Sequence, residues 1–218
     1  MSTLGEQLKT FNQDIRQQIP AEVLDIIDGA TDDLKTRKLE DNSLKTGQTA
    51  PEFSLPNHKG ETRSLSGLLS TSPIVLTFYR GGWCPYCNLE LAALQKALAR
   101  IEQTGAKLIA ISPELPDHSL TTIEKHSLEF EVLSDQGGNV QKLFGLEFQL
   151  PEVLRPVYEG FGFDIPTHNG NGTFALPVPA TYIIDQSGIV RYHFVDVDYT
   201  KRAEPEVIIQ KLKEMTVD

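Results

Sequence analysis

The sequence predicts an α/β protein, a parallel or mixed central sheet flanked by helices and preceded by a helical N-terminal extension. Three observations predict it. From residue 73 onwards, apolar runs rich in β-branched residues alternate with segments of helical periodicity. The run PIVLTFY (73–79) is almost continuously apolar, as a strand covered on both faces reads. Finally, 218 residues suffice for one substantial domain with extensions and are short for two.

The elements follow in order. LGEQLKTFNQDI places Leu4, Leu8, Phe11 and Ile15 at helical spacing, and PAEVLDIIDGATDDLKTRKL begins with Pro20 and repeats apolar residues at Val23, Leu24, Ile27 and Leu34. Residues 1–44 are therefore expected to form a helical extension that packs on the core or on a second subunit, so a homodimer is one expected arrangement. The extension carries no chemically useful cluster and is expected to serve folding or dimerisation, not the chemistry. The main domain is expected over 45–218.

Short extended pieces punctuated by Pro51, Pro56 and Gly60 come next, then the strand at 73–79. From Pro85 a helix is predicted with an apolar stripe of Leu91, Leu94, Leu98 and Ile101, ended by Gly105. AKLIAIS (106–112) reads as a buried strand, PDHSLTTIEKHS as a polar helix, FEVLSD (130–135) as a strand and GNVQKLFG as a short helix. Residues 146–178, rich in Pro, Gly and aromatics, read as a long irregular connection lining a cleft. A hairpin turns about Asp185 to Gly188, and PEVIIQKLKEM closes the chain as a helix.

A formal net charge of −10 argues against a nucleic-acid or anionic-membrane surface. No apolar run approaches membrane-spanning length. The first residues show no secretory apolar region and carry Glu6, Asp14, Glu22 and Asp25, so the protein is expected in the cytoplasm. In a reducing compartment, two cysteines at CxxC spacing point to redox or metal chemistry before a structural bridge.

Both cysteines lie in FYRGGWCPYC (78–87). Pro85 suits a first helical position, because its missing N–H would be unsatisfied there anyway. Cys84 is then the N-cap, its sulfur facing free N–H groups and the positive end of the helix dipole, where a thiolate is stabilised. Cys87 lies one turn along on the same face, within reach of a disulfide. Arg80 has two readings: a cation that lowers the Cys84 pKa or binds an anionic substrate, or a solvated loop residue. Trp83 is expected to cover the apolar wall beside the thiol. A zinc site needs three or four protein ligands, and the five histidines show no paired spacing with the two cysteines, so redox chemistry is the stronger reading and no metal or organic cofactor is expected.

The chain resembles the peroxiredoxin-like branch of the alkyl hydroperoxide reductase/thiol-specific antioxidant family, within the thioredoxin-fold superfamily. The resemblance runs over roughly residues 45 to 197, carried by GQTAPEFSLPN with GETRSLSGL, IVLTFYRGGWCPYCNLEL, FEVLSDQGGNVQKLFG and PATYIIDQSGIVRYHF in that order. It implies a thioredoxin-like fold, a cysteine that reduces hydroperoxides and a dithiol donor such as thioredoxin. Two departures stand out. The family places a Pro and a Thr before the peroxidatic Cys where this chain has Thr77 and Gly81, and a late Arg where it has Pro179. Both point towards thioredoxin itself: WCxxC resembles its motif, and VPATYIID resembles the segment that presents the backbone of Val178 to a partner strand through a cis bond before Pro179.

The expected function is therefore reduction of hydroperoxides, with Cys84 as nucleophile, Cys87 as resolving thiol, and Arg80, Trp83, Pro85 and Pro179 in support. A disulfide reductase using the same pair is the alternative. A redox sensor that does not turn over is the second.

Overall fold

The computed structural model describes residues 2–215. Helix α1 (Leu4–Arg16) opens on a capping box: the Glu6 N–H donates to the Thr3 hydroxyl at 3.2 Å and the Thr3 N–H donates to the Glu6 carboxylate at 2.8 Å. Helix α2 (Ala21–Thr36) follows Pro20, and Arg16 joins the two through a bidentate pair with Asp28 at 2.9 and 2.7 Å. Strands β1 (Ser54–Pro56) and β2 (Thr62–Ser64) form a small antiparallel hairpin leading into α3 (Leu65–Leu69).

The main sheet starts with β3 (Ile74–Phe78), every residue of which is buried. After it come α4 (Pro85–Glu102), β4 (Lys107–Ser112), α5 (Pro116–His126), β5 (Glu131–Ser134) and α6 (Asn139–Leu143). Strand β6 (Glu147–Gln149), α7 (Arg155–Gly160), α8 (Ile165–Asn169) and β7 (Ala175–Pro177) lead to β8 (Ala180–Ile184), β9 (Val190–Val195) and α9 (Pro205–Met215). The five-stranded sheet has the order β5-β4-β3-β8-β9. Strands β3, β4 and β5 run parallel, while β8 is antiparallel to β3 and to β9. The mixed sheet predicted from the sequence is thus present, with β3 at its centre.

Alternation along β3 divides the core. Val75 packs with Leu91, Leu94 and Leu98 of α4, Ile208 and Leu212 of α9, and Leu4 and Leu8 of α1. Ile74, Leu76 and Phe78 face the opposite side, among Phe53, Leu65, Phe144 and Tyr182. A third cluster joins Ile27 and Ala30 of α2 to Leu150, Leu154, Tyr158 and Ile165. The N-terminal helices are therefore built into the body of the protein, and Glu204, just before α9, accepts the Leu4 and Gly5 N–H groups at 3.1 and 2.5 Å.

Residues 146–178 differ from the irregular connection expected. They hold the antiparallel pair β6–β7, with Phe148 opposite Leu176, and the helices α7 and α8 between the two strands. Three of their prolines mark element starts: Pro151 precedes a 3-10 turn over Glu152–Leu154, and α7 and α8 each carry one in the first turn. Among the described residues no helix is long and apolar enough to cross a membrane.

Candidate active site

Strand β3 delivers the chain to a tight loop, residues 79–84, which hands over to α4. The Cys84 N–H closes a turn onto the Gly81 carbonyl at 3.1 Å, and the Asn88 side chain donates to the Gly82 carbonyl at 2.9 Å. From across the loop the buried Glu114 carboxylate accepts the Gly82 N–H at 2.9 Å and contacts His168 Nδ1 at 3.1 Å. Gly81 has φ +151°, and a Cβ there would be driven into the Trp83 ring and within 2.9 Å of Glu114. Only glycine fits at Gly81.

Cys84 occupies the N-cap of α4 with Pro85 in the first turn, as the sequence predicts. Its sulfur takes no capping hydrogen bond from the helix N–H groups. It meets a different donor: Arg80, whose Nη2 donates to Cys84 Sγ at 3.2 Å. Arg80 is no solvated loop residue. It is 4 % exposed, its Nη1 donates to the Tyr158 hydroxyl at 2.9 Å, and its guanidinium lies 4.4 Å from the Tyr199 ring centre, 5.3 Å from Trp83 and 5.9 Å from Tyr158. Burial works against its charge, and the Cys84 sulfur more than restores it.

Cys87, one turn along α4, has the mirror arrangement. Arg202, in the segment between β9 and α9, donates from Nη2 to Cys87 Sγ at 3.2 Å. Its Nε donates to Glu90 at 2.5 Å and its Nη1 to the Tyr199 and Lys201 carbonyls at 2.7 and 2.6 Å. The Arg202 and Glu90 side chains are each 1 % exposed. Glu90 also accepts from the Thr77 hydroxyl at 3.3 Å. Burial pushes the Glu90 carboxyl up, and the Arg202 charge offsets this only in part.

The two thiols are free, fully buried and inequivalent. Burial raises the Cys84 pKa, but a hydrogen bond from Cys87 and the charges of Arg80 and Arg202 outweigh it, so Cys84 lies well below the ordinary thiol value. Burial and the neighbouring Cys84 hold Cys87 well above it, against both arginines. The opposite directions of the two shifts favour the thiolate form at Cys84 over Cys87. The sulfurs face guanidinium groups, surroundings that favour a thiolate and disfavour a metal cation.

A cleft of about 290 Å³ is lined by Trp83 and Pro85, the chain neighbours of the buried Cys84, and by its partner Arg80. Its lining also includes Tyr158, Phe161 and Phe163, and Phe11, Ile15 and Ile27 of the N-terminal segment. Trp83 packs among aromatics, with its ring centre 5.2 Å from that of Phe163 and 5.8 Å from that of Tyr158. Residues 1–44 reach the neighbourhood of the thiols: Phe11 meets Tyr86 edge-on at 5.1 Å, and Asn12 accepts from the Tyr86 hydroxyl at 2.8 Å.

Pro179 is also corrected. No cis peptide bond occurs among the described residues. The chain runs from β7 almost directly into β8, and the buried Val178 donates its N–H to the Leu146 carbonyl at 2.8 Å. That N–H is already paired within the chain and is not free for a partner strand.

Sequence reasoning missed Arg202, Glu90, Tyr158 and Tyr199. Glu90 carried a signal, since it lies three residues after Cys87 and beside Leu91 on the buried stripe, where a carboxylate needs a partner. Arg202, in the polar stretch YTKRAEP, carried none.

Residues 46–193 match the model of the AhpC/TSA family. Peroxiredoxin Q, chloroplastic, of Populus jackii is 28 % identical over 163 residues, which cover 75 % of this chain and 63 % of the poplar protein. The chain thus spans less than two thirds of that relative's length. The crystal structure of peroxidoxin BcpB from Mycobacterium tuberculosis superposes with a TM-score of 0.63 at 23 % identity, over 79 % of this chain and 98 % of that one. The Xanthomonas campestris bacterioferritin comigratory protein gives 0.57 at 16 % identity, over 75 % and 91 %. The fold is the thioredoxin-like α/β fold.

Proposed function

Because the chain belongs to the AhpC/TSA family, we propose that it is a thiol peroxidase that reduces hydroperoxides through Cys84 and Cys87. The observation that carries this reading is a buried Cys84 sulfur that accepts from Arg80 at 3.2 Å, its pKa drawn well below the ordinary thiol value, next to residues that line an apolar cleft. The thiolate attacks the distal oxygen of ROOH and the O–O bond breaks. The RO⁻ fragment leaves as alcohol or water once protonated, and Cys84 becomes a sulfenic acid. Cys87 then attacks Cys84 Sγ, the S–O bond breaks, and hydroxide departs with the Cys87 proton as water. An external dithiol such as thioredoxin reduces the disulfide, so the cycle needs a reducing compartment such as the cytoplasm and no metal or organic cofactor.

Gly81 brings no hydroxyl to the site, and Thr77 turns its hydroxyl to Glu90 and the Ala180 carbonyl, not to a thiol. This observation favours a second reading, disulfide reduction. Against it stand a Cys84 sulfur with no exposed surface and a Val178 backbone paired within the chain, which suit a small substrate better than a protein strand.

Stopped-flow oxidation of the reduced protein by hydrogen peroxide and by cumene hydroperoxide decides between them. Trp83, the single tryptophan, adjoins Cys84 and reports the change. A fast phase from sulfenate formation, followed by a slower one from disulfide closure, is expected. In Cys87→Ser the second phase should vanish and sulfinic acid accumulate. Peroxide reactivity no greater than that of a simple thiol, with ready trapping of protein partners by Cys87→Ser, would replace this reading with the second.

A further inference from the structure

The proposed peroxidase cycle gives a role to one cation, Arg80, on one sulfur. A second cation stands on the other. We infer that Arg202 is a catalytic residue of the resolving step, stabilising the negative charge that Cys87 acquires after Cys84 is oxidised, with Glu90 as its positioning residue. This rests on the thiol peroxidase reading for its physiological direction, though not for its chemistry.

The donor inventory of Arg202 points to this role. Nε is spent on Glu90 and Nη1 on two backbone carbonyls, while Nη2 is aimed at Cys87 Sγ at 3.2 Å. A protonated thiol is a weak acceptor and a thiolate a strong one. A buried guanidinium group that used this geometry only for packing would leave its outer donor on the poorest acceptor nearby. Tyr199 ties the two cations together: its ring lies on Arg80 and its carbonyl accepts from Arg202. One short segment therefore sets both thiol–arginine pairs.

The electrostatics give the order of events. In the reduced protein the charge sits on Cys84, and that neighbour, with burial, keeps Cys87 protonated. Oxidation of Cys84 to the neutral sulfenic acid removes the Cys84 contribution and leaves burial opposed by Arg202 and Arg80. Cys87 can then ionise beside Arg202. Its sulfur attacks Cys84 Sγ, forming the S–S bond as the S–O bond breaks, and the hydroxide leaves with the released proton as water. In the return direction a donor thiolate attacks Cys84 Sγ, the S–S bond breaks, and Cys87 leaves as a thiolate against the same guanidinium. Arg202 keeps its protons throughout. It lies outside residues 46–193, the part of the chain that matches the family model.

Two variants test this. Arg202→Lys keeps a cation for Glu90, but an ammonium cannot also reproduce the planar fork that reaches Cys87. The double variant Glu90→Leu with Arg202→Met removes both buried charges together, avoiding the unpaired carboxylate a single deletion would leave. Both are oxidised in stopped flow with hydrogen peroxide and, separately, with oxidised glutathione. Glutathione forms a mixed disulfide on Cys84 that Cys87 must then displace. We expect the second phase to slow at least tenfold more than the first in the double variant, with sulfinic acid rising in the peroxide arm and the glutathione adduct accumulating by mass spectrometry in the other. Arg202→Lys should lie between parent and double variant, and it decides alone if the double variant does not fold. An unchanged ratio of the two phases in whichever variant folds, with no accumulated adduct, overturns the proposal and leaves Arg202 and Glu90 a packed ion pair. A parent protein without a fast peroxide phase would sink the peroxidase reading instead, and the glutathione arm would still judge Arg202.

Discussion

Replacing Arg80 with Met tests the electrostatics of the nucleophile directly. The substitution keeps much of the aliphatic volume and removes the Nη2 hydrogen bond to Cys84, the Nη1 bond to Tyr158 and the cation beneath Tyr199. A hydrogen bond to a charged group contributes about 1.5–3 kcal/mol. At 1.36 kcal/mol per tenfold, its loss shifts the thiol–thiolate equilibrium of Cys84 towards the thiol by a factor of roughly ten to 150. The effect has a sign in pH. The folded protein holds Cys84 below the ordinary thiol pKa, so the stability this supplies is complete above that ordinary value and disappears as pH falls through the folded one. Parent and variant should therefore differ most in stability at alkaline pH and converge in acid.

Reactivity behaves in the opposite way. In Arg80→Met the pH profile of alkylation by iodoacetamide, read beside thiolate absorbance, should move to higher pH. At neutral pH the variant should react more slowly, and the two should converge where both are ionised. Arg80→Lys should recover only part of the loss, because one ammonium cannot serve Cys84 and Tyr158 with the guanidinium geometry. Superimposable profiles for parent and Arg80→Met would refute the reasoning, and would mean that Cys87 and the end of α4 hold the thiolate unaided.

Two further outcomes follow from the loop and the cleft. Gly81→Thr, which restores the residue type of the wider family pattern, should cost about 1–3 kcal/mol for backbone strain and about 1–3 kcal/mol for overpacking against Trp83, lowering the melting temperature by roughly 4–24 °C at about 2–4 °C per kcal/mol. A melting temperature within a degree or two of the parent would show that the loop yields. Phe11→Ala with Ile15→Ala removes apolar wall from the cleft and should raise KM for cumene hydroperoxide several-fold more than KM for hydrogen peroxide, on the order of 1 kcal/mol of lost apolar contact. Equal effects on both substrates in steady-state assays would show that the cleft does not select by apolar bulk.

What was legible in the sequence was what depends on neighbours along the chain. The buried strand β3, Pro85 opening α4 and the one-turn spacing of Cys84 and Cys87 are local patterns, and each stands where its pattern places it. The fate of Arg80 was not local. Whether it faced water or the thiol depended on Tyr158 and Tyr199, residues 78 and 119 positions away, and those arrive only when α7 and the segment after β9 fold back over α4. Residues 146–178 escaped for a related reason. Elements of three to six residues are too short to show a period, and prolines that open short helices read in isolation as loop signals.

The departures at Thr77, Gly81 and Pro179 gain a common physical account from the same packing. Gly81 cannot carry a side chain because Trp83 and Glu114 occupy that space, and Trp83 in turn lines the cleft. Thr77 is drawn away from the reacting sulfur by Glu90, which is buried only because Arg202 accompanies it. Pro179 enters β8 with the Val178 N–H already paired, so no cation is supplied from that strand and no backbone is offered there either. Each polar group missing near Cys84 is matched by one supplied from elsewhere, Arg80 from the loop before it and Arg202 from the far end of the chain. Charge on the sulfurs is thus controlled by two guanidinium groups, one per thiol, joined through Tyr199. On the role inferred for Arg202, such a site would hold one negative charge in either of two positions, with the oxidation state of Cys84 selecting which.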